Sequence, residues 1–243
     1  MTDAQLARAI AEEAGRLLLD IRATSGLAGK ALGDEGDARA NRLILDRLAA
    51  ARPDDSILSE ESHDDIARCD RSRVWIVDPL DGTREYAEGR DDWAVHVALA
   101  VECEAAVGAV ALPAAGRTLA SDAAAPVHAL PARPRMVVSR TRPPAIATRV
   151  GEALGAEAIA MGSAGAKAMA VVEGRADLYL HAGGQHEWDN CAPVAVARAH
   201  GLHASRIDGS PLVYNCPDPR LPDLLICHPA LAERVLGLVR ELS

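Results

Sequence analysis

Two carboxylates stand three positions apart at the end of an apolar run, Val74-Trp75-Ile76-Val77-Asp78-Pro79-Leu80-Asp81-Gly82-Thr83. A turn uses Pro, Gly and one Asp, so the second acid needs another reason. Hard divalent cations such as Mg²⁺ bind carboxylate, carbonyl and water oxygens. Asp78, Asp81 and the free backbone carbonyl of Leu80 between them offer such a set. Glu60 and Glu61 also follow a short apolar run, Ser56-Ile57-Leu58-Ser59. If the two runs are neighbouring strands, Glu60, Asp78 and Asp81 converge at one sheet edge. Without a cation these carboxylates repel, and one has its pKa raised. The plainer reading makes each acid a separately solvated turn or cap residue.

Gly82 and Thr83 precede Arg84-Glu85-Tyr86-Ala87-Glu88, which can open a helix. A helix start presents free N–H groups and the positive end of the dipole. Gly82 lets an anion approach the backbone, and the Thr83 hydroxyl can orient a water. Metal ligands beside an anion cradle suit phosphate ester hydrolysis. A more distant acid, Asp189, lies where the Gly-rich start of GGQHEWDNCAPVAVARAHG becomes a helix. Taken alone it reads as an N-cap.

Several elements must position these residues. Helices are predicted over 2–23 and 37–51, with the Gly-rich stretch 26–36 as a loop between them. Strands are predicted over 56–59, 74–77, 93–101 and 105–112, the last two as an antiparallel pair. An Ala/Pro-rich stretch, 113–134, separates two expected domains: 1–130, carrying most of the acids, and 131–243, carrying Asp189. In the second half strands over 135–139, 176–180 and 224–227 alternate with helices over 143–154, 163–173, 189–200 and 229–242. That alternation predicts an α/β arrangement.

Composition narrows the function classes. The 243 residues are 49% hydrophobic but only 2% aromatic with no Phe, so Ala, Val and Leu must fill the core. A net charge of −9 argues against a nucleic-acid polymer as partner. No run is apolar enough for a membrane span and no signal peptide is visible, so neither membrane nor export is expected. Five scattered Cys without a C-x-x-C pair fit a reducing, cytoplasmic setting with buried thiols. His63, His96, His181 and His186 could approach a metal, but a single His is more often core or surface. Ala-rich helices fit a monomer or a homodimer equally well.

The segments SEES (59–62), WIVDPLDGT (75–83), EGD (35–37), GSAGAK (162–167) and EWDNCAP (187–193) together resemble the inositol monophosphatase superfamily. The resemblance covers nearly the whole chain. It implies a layered αβαβα sandwich of the inositol monophosphatase and sugar phosphatase type, α+β or α/β in class. It implies two or three Mg²⁺ ions and sensitivity to lithium. Glu60, Asp78 and the Leu80 carbonyl would hold one ion, and Asp78, Asp81 and Asp189 a second. Asp37 and Thr83 would orient and help deprotonate the attacking water. The Gly82 and Thr83 N–H groups would hold the phosphate.

The motif Asp81-Gly82-Thr83-Arg84-Glu85-Tyr86 resembles the 3'(2'),5'-bisphosphate nucleotidases, the CysQ branch, more than the D-G-T-T-N-F of inositol phosphatases. That branch removes the 3'-phosphate of adenosine 3',5'-bisphosphate (PAP), a by-product of sulfate assimilation, to give AMP, and PAPS is a related substrate. Glu60, Leu80, Asp81, Gly82, Thr83, Arg84, Ser163, Lys167 and Asp189 are the implied substrate contacts. Lys167 occupies the position of a Lys that helps hold the nucleotide's other phosphate. Two features depart from the pattern. Asp34 stands where the family has Thr, and Lys30 is out of register with the family's loop lysine. Inositol-1-phosphate and fructose-1,6-bisphosphate are the alternative substrates. A non-catalytic sensor of metal or nucleotide is the alternative of another class.

Overall fold

The computed structural model describes residues 1–123 and 125–243; Ala124, inside the Ala/Pro-rich stretch expected to hold a domain boundary, lies outside the described residues. Helix α1 (Asp3–Thr24) opens on a reciprocal cap. The Thr2 hydroxyl accepts from Gln5 N, and Gln5 Oε1 accepts from Thr2 N. Its buried stripe of Leu6, Ile10, Ala14, Leu18 and Ile21 follows helical spacing.

Helix α2 spans Gly29–Ala51, which corrects the predicted loop over 26–36. Leu32, Gly33, Gly36, Asp37, Ala40, Ile44 and Leu48 form its buried face. Glycine costs a helix about 1 kcal/mol relative to Ala. Here close packing offsets that cost. A Cβ on Gly33 would lie 2.7 Å from Thr83 Cγ2, and one on Gly36 would lie 3.1 Å from both Leu18 Cδ2 and Tyr86 Cε1. The glycines are a packing face, not a turn.

The first sheet contains β1 (Ser56–Ser59), β2 (Arg73–Asp81), β3 (Ala94–Val101), β4 (Glu104–Leu112) and β5 (Arg117–Ala120) in that spatial order. β1 runs parallel to β2, and the other pairs are antiparallel. β2 is longer than the predicted 74–77 and continues through Pro79. β1 pairs only as far as Val77, so the missing N–H of Pro79 breaks no ladder bond on that side. The β2–β3 register shifts between Asp78 and Asp81, a bulge that turns the strand end.

The second sheet contains β6 (Arg135–Ser139), β7 (Glu157–Met161), β8 (Leu178–His186), β9 (His203–Ser205) and β10 (Arg220–Cys227), ordered β7-β6-β8-β10-β9. β7, β6 and β8 are parallel; β10 is antiparallel to β8 and β9. The short strands β5, β7 and β9 are additions to the predicted set. β8 starts two residues later than predicted and runs on to His186, through Gly183 and Gly184.

Five layers result. α1 and α2 pack on one face of the first sheet. Helices α5 (Ala164–Val172) and α6 (Glu187–Ala199) lie between the two sheets. Helices α4 (Ala145–Leu154) and α7 (Ala232–Leu242) cover the outer face of the second sheet. This is the αβαβα sandwich that the family resemblance implied. Along β2, Val74 and Ile76 point to the inner core and Trp75 and Val77 to the outer one. Small residues close the gap that a Phe-less core would leave. A Cβ on Gly108 of β4 would meet the Ala192 carbonyl of α6 at 2.5 Å.

Candidate active site

The first sheet ends where β2 stops, and there the acids meet. Asp78, Asp81 and Asp189 bring carboxylate oxygens within 4.8 Å of one another. Asp78 is almost wholly buried, and its Oδ1 accepts from Leu80 N at 3.0 Å. This side-chain bond to a residue two positions on fixes the Pro79 turn. Burial, then the neighbouring carboxylates of Glu60, Asp81 and Asp189, push Asp78 well above the usual carboxylate range.

Asp81 is held by the opposite side of the molecule. Its Oδ2 accepts from Ser163 Oγ and from Gly165 N at 2.6 Å, and its Oδ1 accepts from Ala164 N at 3.1 Å. His96 Nε2 lies 3.3 Å from Oδ2. Burial works against ionisation, but His96, the Ser163 hydroxyl and the α5 amides outweigh it and hold the pKa below the usual carboxylate range. One lone pair on Oδ1 is left for a cation.

Asp189 lies in the first turn of α6, which begins at Glu187, two residues earlier than predicted. It is more than the expected cap: its Oδ2 accepts from His186 N at 2.6 Å while its carboxylate joins the cluster. Pro193, four residues on, has no N–H to give the Asp189 carbonyl. Burial, then Asp81, raises Asp189 to about 6.

Glu60 follows β1 and is the exposed rim of the cluster, its side chain within hydrogen-bonding reach of Asp78. Loss of hydration, then Asp189 and Asp81, raises it to about 7. Asn41 of α2 anchors this loop. It accepts from Ser59 Oγ at 2.8 Å and donates to Ser62 Oγ at 3.0 Å.

Asp37 projects from α2, in the middle of the helix and not at its predicted start. It is 8% exposed, and its Oδ1 is buried without a partner among the described residues. Burial, then Glu61 and Glu60, raises it to about 7. The Thr83 hydroxyl lies beside it and gives its one proton to Leu80 O at 3.1 Å. Gly82, at φ 92°, turns the chain from β2 into the short helix α3 (Thr83–Ala87). That left-handed geometry favours Gly, and a Cβ would also press on Ser163 and Trp93.

A cleft of about 250 Å³ adjoins the cluster, lined by Gly82, Thr83, Arg84, Glu85, Ser139, Arg140, Thr141, Arg142, Gly162, Ser163 and Lys167. Arg84 and Arg142 are exposed at its edge. Lys167 is buried, and its ammonium donates to Gly162 O at 3.1 Å and to Ser163 O. Of the residues expected to contact substrate, Lys167 and Ser163 are therefore already committed to the protein, Ser163 as the α5 cap and the Asp81 donor. Glu85 pairs with Arg140 at 2.7 Å across this wall, and Gly162 leaves the room that Glu85 fills. Lys30 pairs with Asp34 on exposed α2, at the opening of a neighbouring groove.

Gly33, Gly36 and Arg140 are the site-building residues that the sequence did not single out, and His96, weighed there as a metal neighbour or a core residue, instead faces Asp81. A lone His inside an apolar strand reads as core. Only Gly165, where a Cβ would fall on His96 Nε2, marks its role, and that requires the fold.

The chain's acids, with little cationic charge between them, fit a divalent cation on their own geometry. The sequence matches the Inositol monophosphatase family over residues 3–243. It is 52% identical to a 3'-phosphoadenosine 5'-phosphate phosphatase of Mycobacterium leprae, over 99% of this chain and 94% of the relative. It is 32% identical to the 3'(2'),5'-bisphosphate nucleotidase CysQ of Escherichia coli K12, over 73% of this chain and 77% of the relative. Among solved structures, CysQ from Bacteroides thetaiotaomicron superposes with a TM-score of 0.79 at 25% identity, covering 93% of this chain and 97% of that one. Inositol monophosphatase II from Staphylococcus aureus superposes with a TM-score of 0.82 at 19% identity, covering 98% and 93%, which is a likeness of fold.

Proposed function

The chain belongs to the inositol monophosphatase family, and from that premise we propose that it is a Mg²⁺-dependent phosphatase that removes the 3'-phosphate of adenosine 3',5'-bisphosphate to give AMP. The single observation that carries this reading is the meeting of Asp78, Asp81 and Asp189 within 4.8 Å, with an Asp37 oxygen that is unpartnered among the described residues. Resemblance to named 3'-phosphoadenosine 5'-phosphate phosphatases supports the choice of substrate.

Asp78, Asp81, Asp189, Glu60 and the Leu80 carbonyl would hold two or three Mg²⁺ ions. The bound ions supply charge neutralisation at the phosphate and acidify water. The protein's own groups do the rest. Asp37, made more basic by its burial, is placed to accept a proton from water. Thr83, its own proton on the Leu80 carbonyl, offers a lone pair to the water's other hydrogen. The water is thus aimed by two side chains before it attacks phosphorus. The Gly82 and Thr83 amides suit the phosphate oxygens.

Arg84 and Arg142, with Lys167 behind them, line the adjoining cleft. This cationic rim suits a second phosphate and favours a bisphosphate over inositol-1-phosphate. The reading is tested by phosphate release with Mg²⁺ from adenosine 3',5'-bisphosphate, inositol-1-phosphate and fructose-1,6-bisphosphate. The nucleotide should have the highest kcat/KM. A higher value for either sugar phosphate would reassign the substrate. No release from any of the three would support a sensor of metal or nucleotide.

A further inference from the structure

Asp92, a half-buried acid in the loop between α3 and β3, makes contacts that the proposed mechanism does not use. Its Oδ2 accepts from Gly162 N at 2.6 Å. Arg90 grips both of its oxygens, Nε on Oδ1 at 2.7 Å and Nη2 on Oδ2 at 3.0 Å. Burial works against ionisation, but Arg90 and the Gly162 amide outweigh it and hold the carboxyl below its usual range. An ionised acceptor makes the bond to the Gly162 amide a strong one. The loop behind Asp92 is anchored as well. Arg90 N donates to Glu85 O at 2.9 Å, and Arg90 O accepts from Arg22 Nη1 at 2.7 Å.

Gly162 opens an elbow between β7 and α5. Ser163 follows at φ 49° and ψ 136°. A residue with a side chain rarely takes that backbone conformation, and it persists only where the surroundings over-determine it. Here the elbow is gripped from two sides. Asp92 takes the Gly162 amide. The buried Lys167 ammonium donates to both carbonyls, Gly162 O and Ser163 O. The Ser163 hydroxyl is fixed in turn, because its Oγ accepts from Ala166 N at 2.9 Å.

The elbow delivers the donors that hold Asp81. Ser163 Oγ and Gly165 N bond its Oδ2, and Ala164 N bonds its Oδ1. Together they fix the plane of the carboxylate, and so the direction of the Oδ1 lone pair left for a cation. Each of these donors lies at the elbow or just after it, so a turn of the Gly162–Ser163 peptide moves them together.

We propose that Asp92, clamped by Arg90, is a positioning residue for Asp81: its hold on the Gly162 amide, opposite the Lys167 hold on the carbonyls, keeps Ser163 in its strained turn and the elbow's donors on the Asp81 carboxylate. Freed on the amide side, the Ser163 backbone relaxes toward negative φ. Its hydroxyl then turns away from Asp81, and the carboxylate loses the orientation that suits a cation. The consequence for Mg²⁺ rests on the phosphatase reading; the grip on the elbow does not.

Two measurements on the full-length protein test this without turnover. In the metal-free protein, amide hydrogen exchange over residues 162–167 should be faster in Asp92→Ala than in the parent. Calorimetric titration with Mg²⁺, without substrate, should show about 10-fold weaker binding in Asp92→Ala, the scale of losing a partner of a metal ligand. Arg90→Ala should shift both readings in the same direction by less. The KM for adenosine 3',5'-bisphosphate at saturating Mg²⁺ should stay near the parental value. Unchanged exchange in Asp92→Ala overturns the grip. Faster exchange with parental Mg²⁺ affinity overturns the route to Asp81. A raised KM with parental Mg²⁺ affinity makes Asp92 a wall of the substrate cleft and overturns the proposal too. If Asp92→Ala does not fold, Arg90→Ala decides, and parental exchange and affinity there overturn the proposal. A parent that binds no Mg²⁺ contradicts the phosphatase reading, while faster exchange in Asp92→Ala still supports the grip.

Discussion

At the residue scale, the three clustered aspartates differ in what else holds them, and this separates their variants. Asp189 has one backbone donor, His186 N, whereas Asp81 takes Ser163 and two α5 amides, with His96 Nε2 3.3 Å away. Losing even the partners of metal ligands costs ~10–100-fold, so Asp189→Asn and Asp81→Asn should each lose at least about 100-fold in kcat/KM. Their melting temperatures should part. Asp189→Asn should melt within a few degrees of the parent. Asp81→Asn should melt lower, because an amide cannot accept all those donors and buried donors lose about 1–3 kcal/mol each. Equal melting points for the two would contradict the cap on α5. Proton linkage gives a second expectation. Asp37 and Glu60 at about 7 and Asp189 at about 6 are raised above unfolded values near 4. The folded, metal-free protein therefore holds protons that the unfolded chain has released. Its stability is greatest at low pH for these groups and falls as pH rises from about 4 through about 7. Mg²⁺ competes with the same protons, so its thermal stabilisation should grow from about pH 5.5 to about pH 8. A shift that is flat across that range would show that these carboxylates are not the ligands.

At the element scale, the approach of α2 to the β2–α3 turn brings Asp37 beside Thr83, and Gly33 and Gly36 set that approach. Gly33→Ala should improve helix propensity by about 1 kcal/mol yet press its methyl on Thr83 Cγ2, 2.7 Å away. The expected outcome is a fall in kcat with little change in the Mg²⁺ concentration needed for half-activity, since none of the clustered aspartates moves. A variant with parental kcat would remove Asp37–Thr83 spacing from the account. This contact also shows where reading the sequence stopped. The acids were legible because Asp78, Asp81 and Asp189 sit beside Pro, Gly or Trp in spaced motifs. The Gly29–Gly36 stretch was not, because glycine at helical spacing and glycine in a loop look alike until the partner surface is known. The short strands β5, β7 and β9 were illegible for a related reason. Glu157–Met161 is mostly exposed and owes its strand form to pairing with β6, which no local pattern in those five residues announces. His96 stood in an apolar run like any core residue, and only the fold set it against Asp81.

At the scale of the whole molecule, the site is a seam between the two sheets. Asp78 and Asp81 come from the first sheet, Asp189 from α6, and the Asp81 donors from α5, the two helices lying between the sheets. The distance between the sheets therefore sets the distance between ligands. Small residues set it: Ala192 and Ala195 of α6 lie on Gly108 of β4, with a Cβ on Gly108 only 2.5 Å from Ala192 O and 2.9 Å from Ala195 Cβ. The obstacle there is helix backbone, which cannot rotate away as a side chain could. Gly108→Ala should therefore push α6 outward, costing about 1–3 kcal/mol as an overpacked core does, and carry Asp189 with it. Because Gly108 touches no ligand, a loss of stability alone would leave Mg²⁺ dependence as it is in the parent. A displaced Asp189 instead raises the Mg²⁺ concentration for half-maximal activity, measured well below the melting temperature. If Gly108→Ala lowers the melting point while that concentration stays at the parental value, sheet separation does not control the metal cluster.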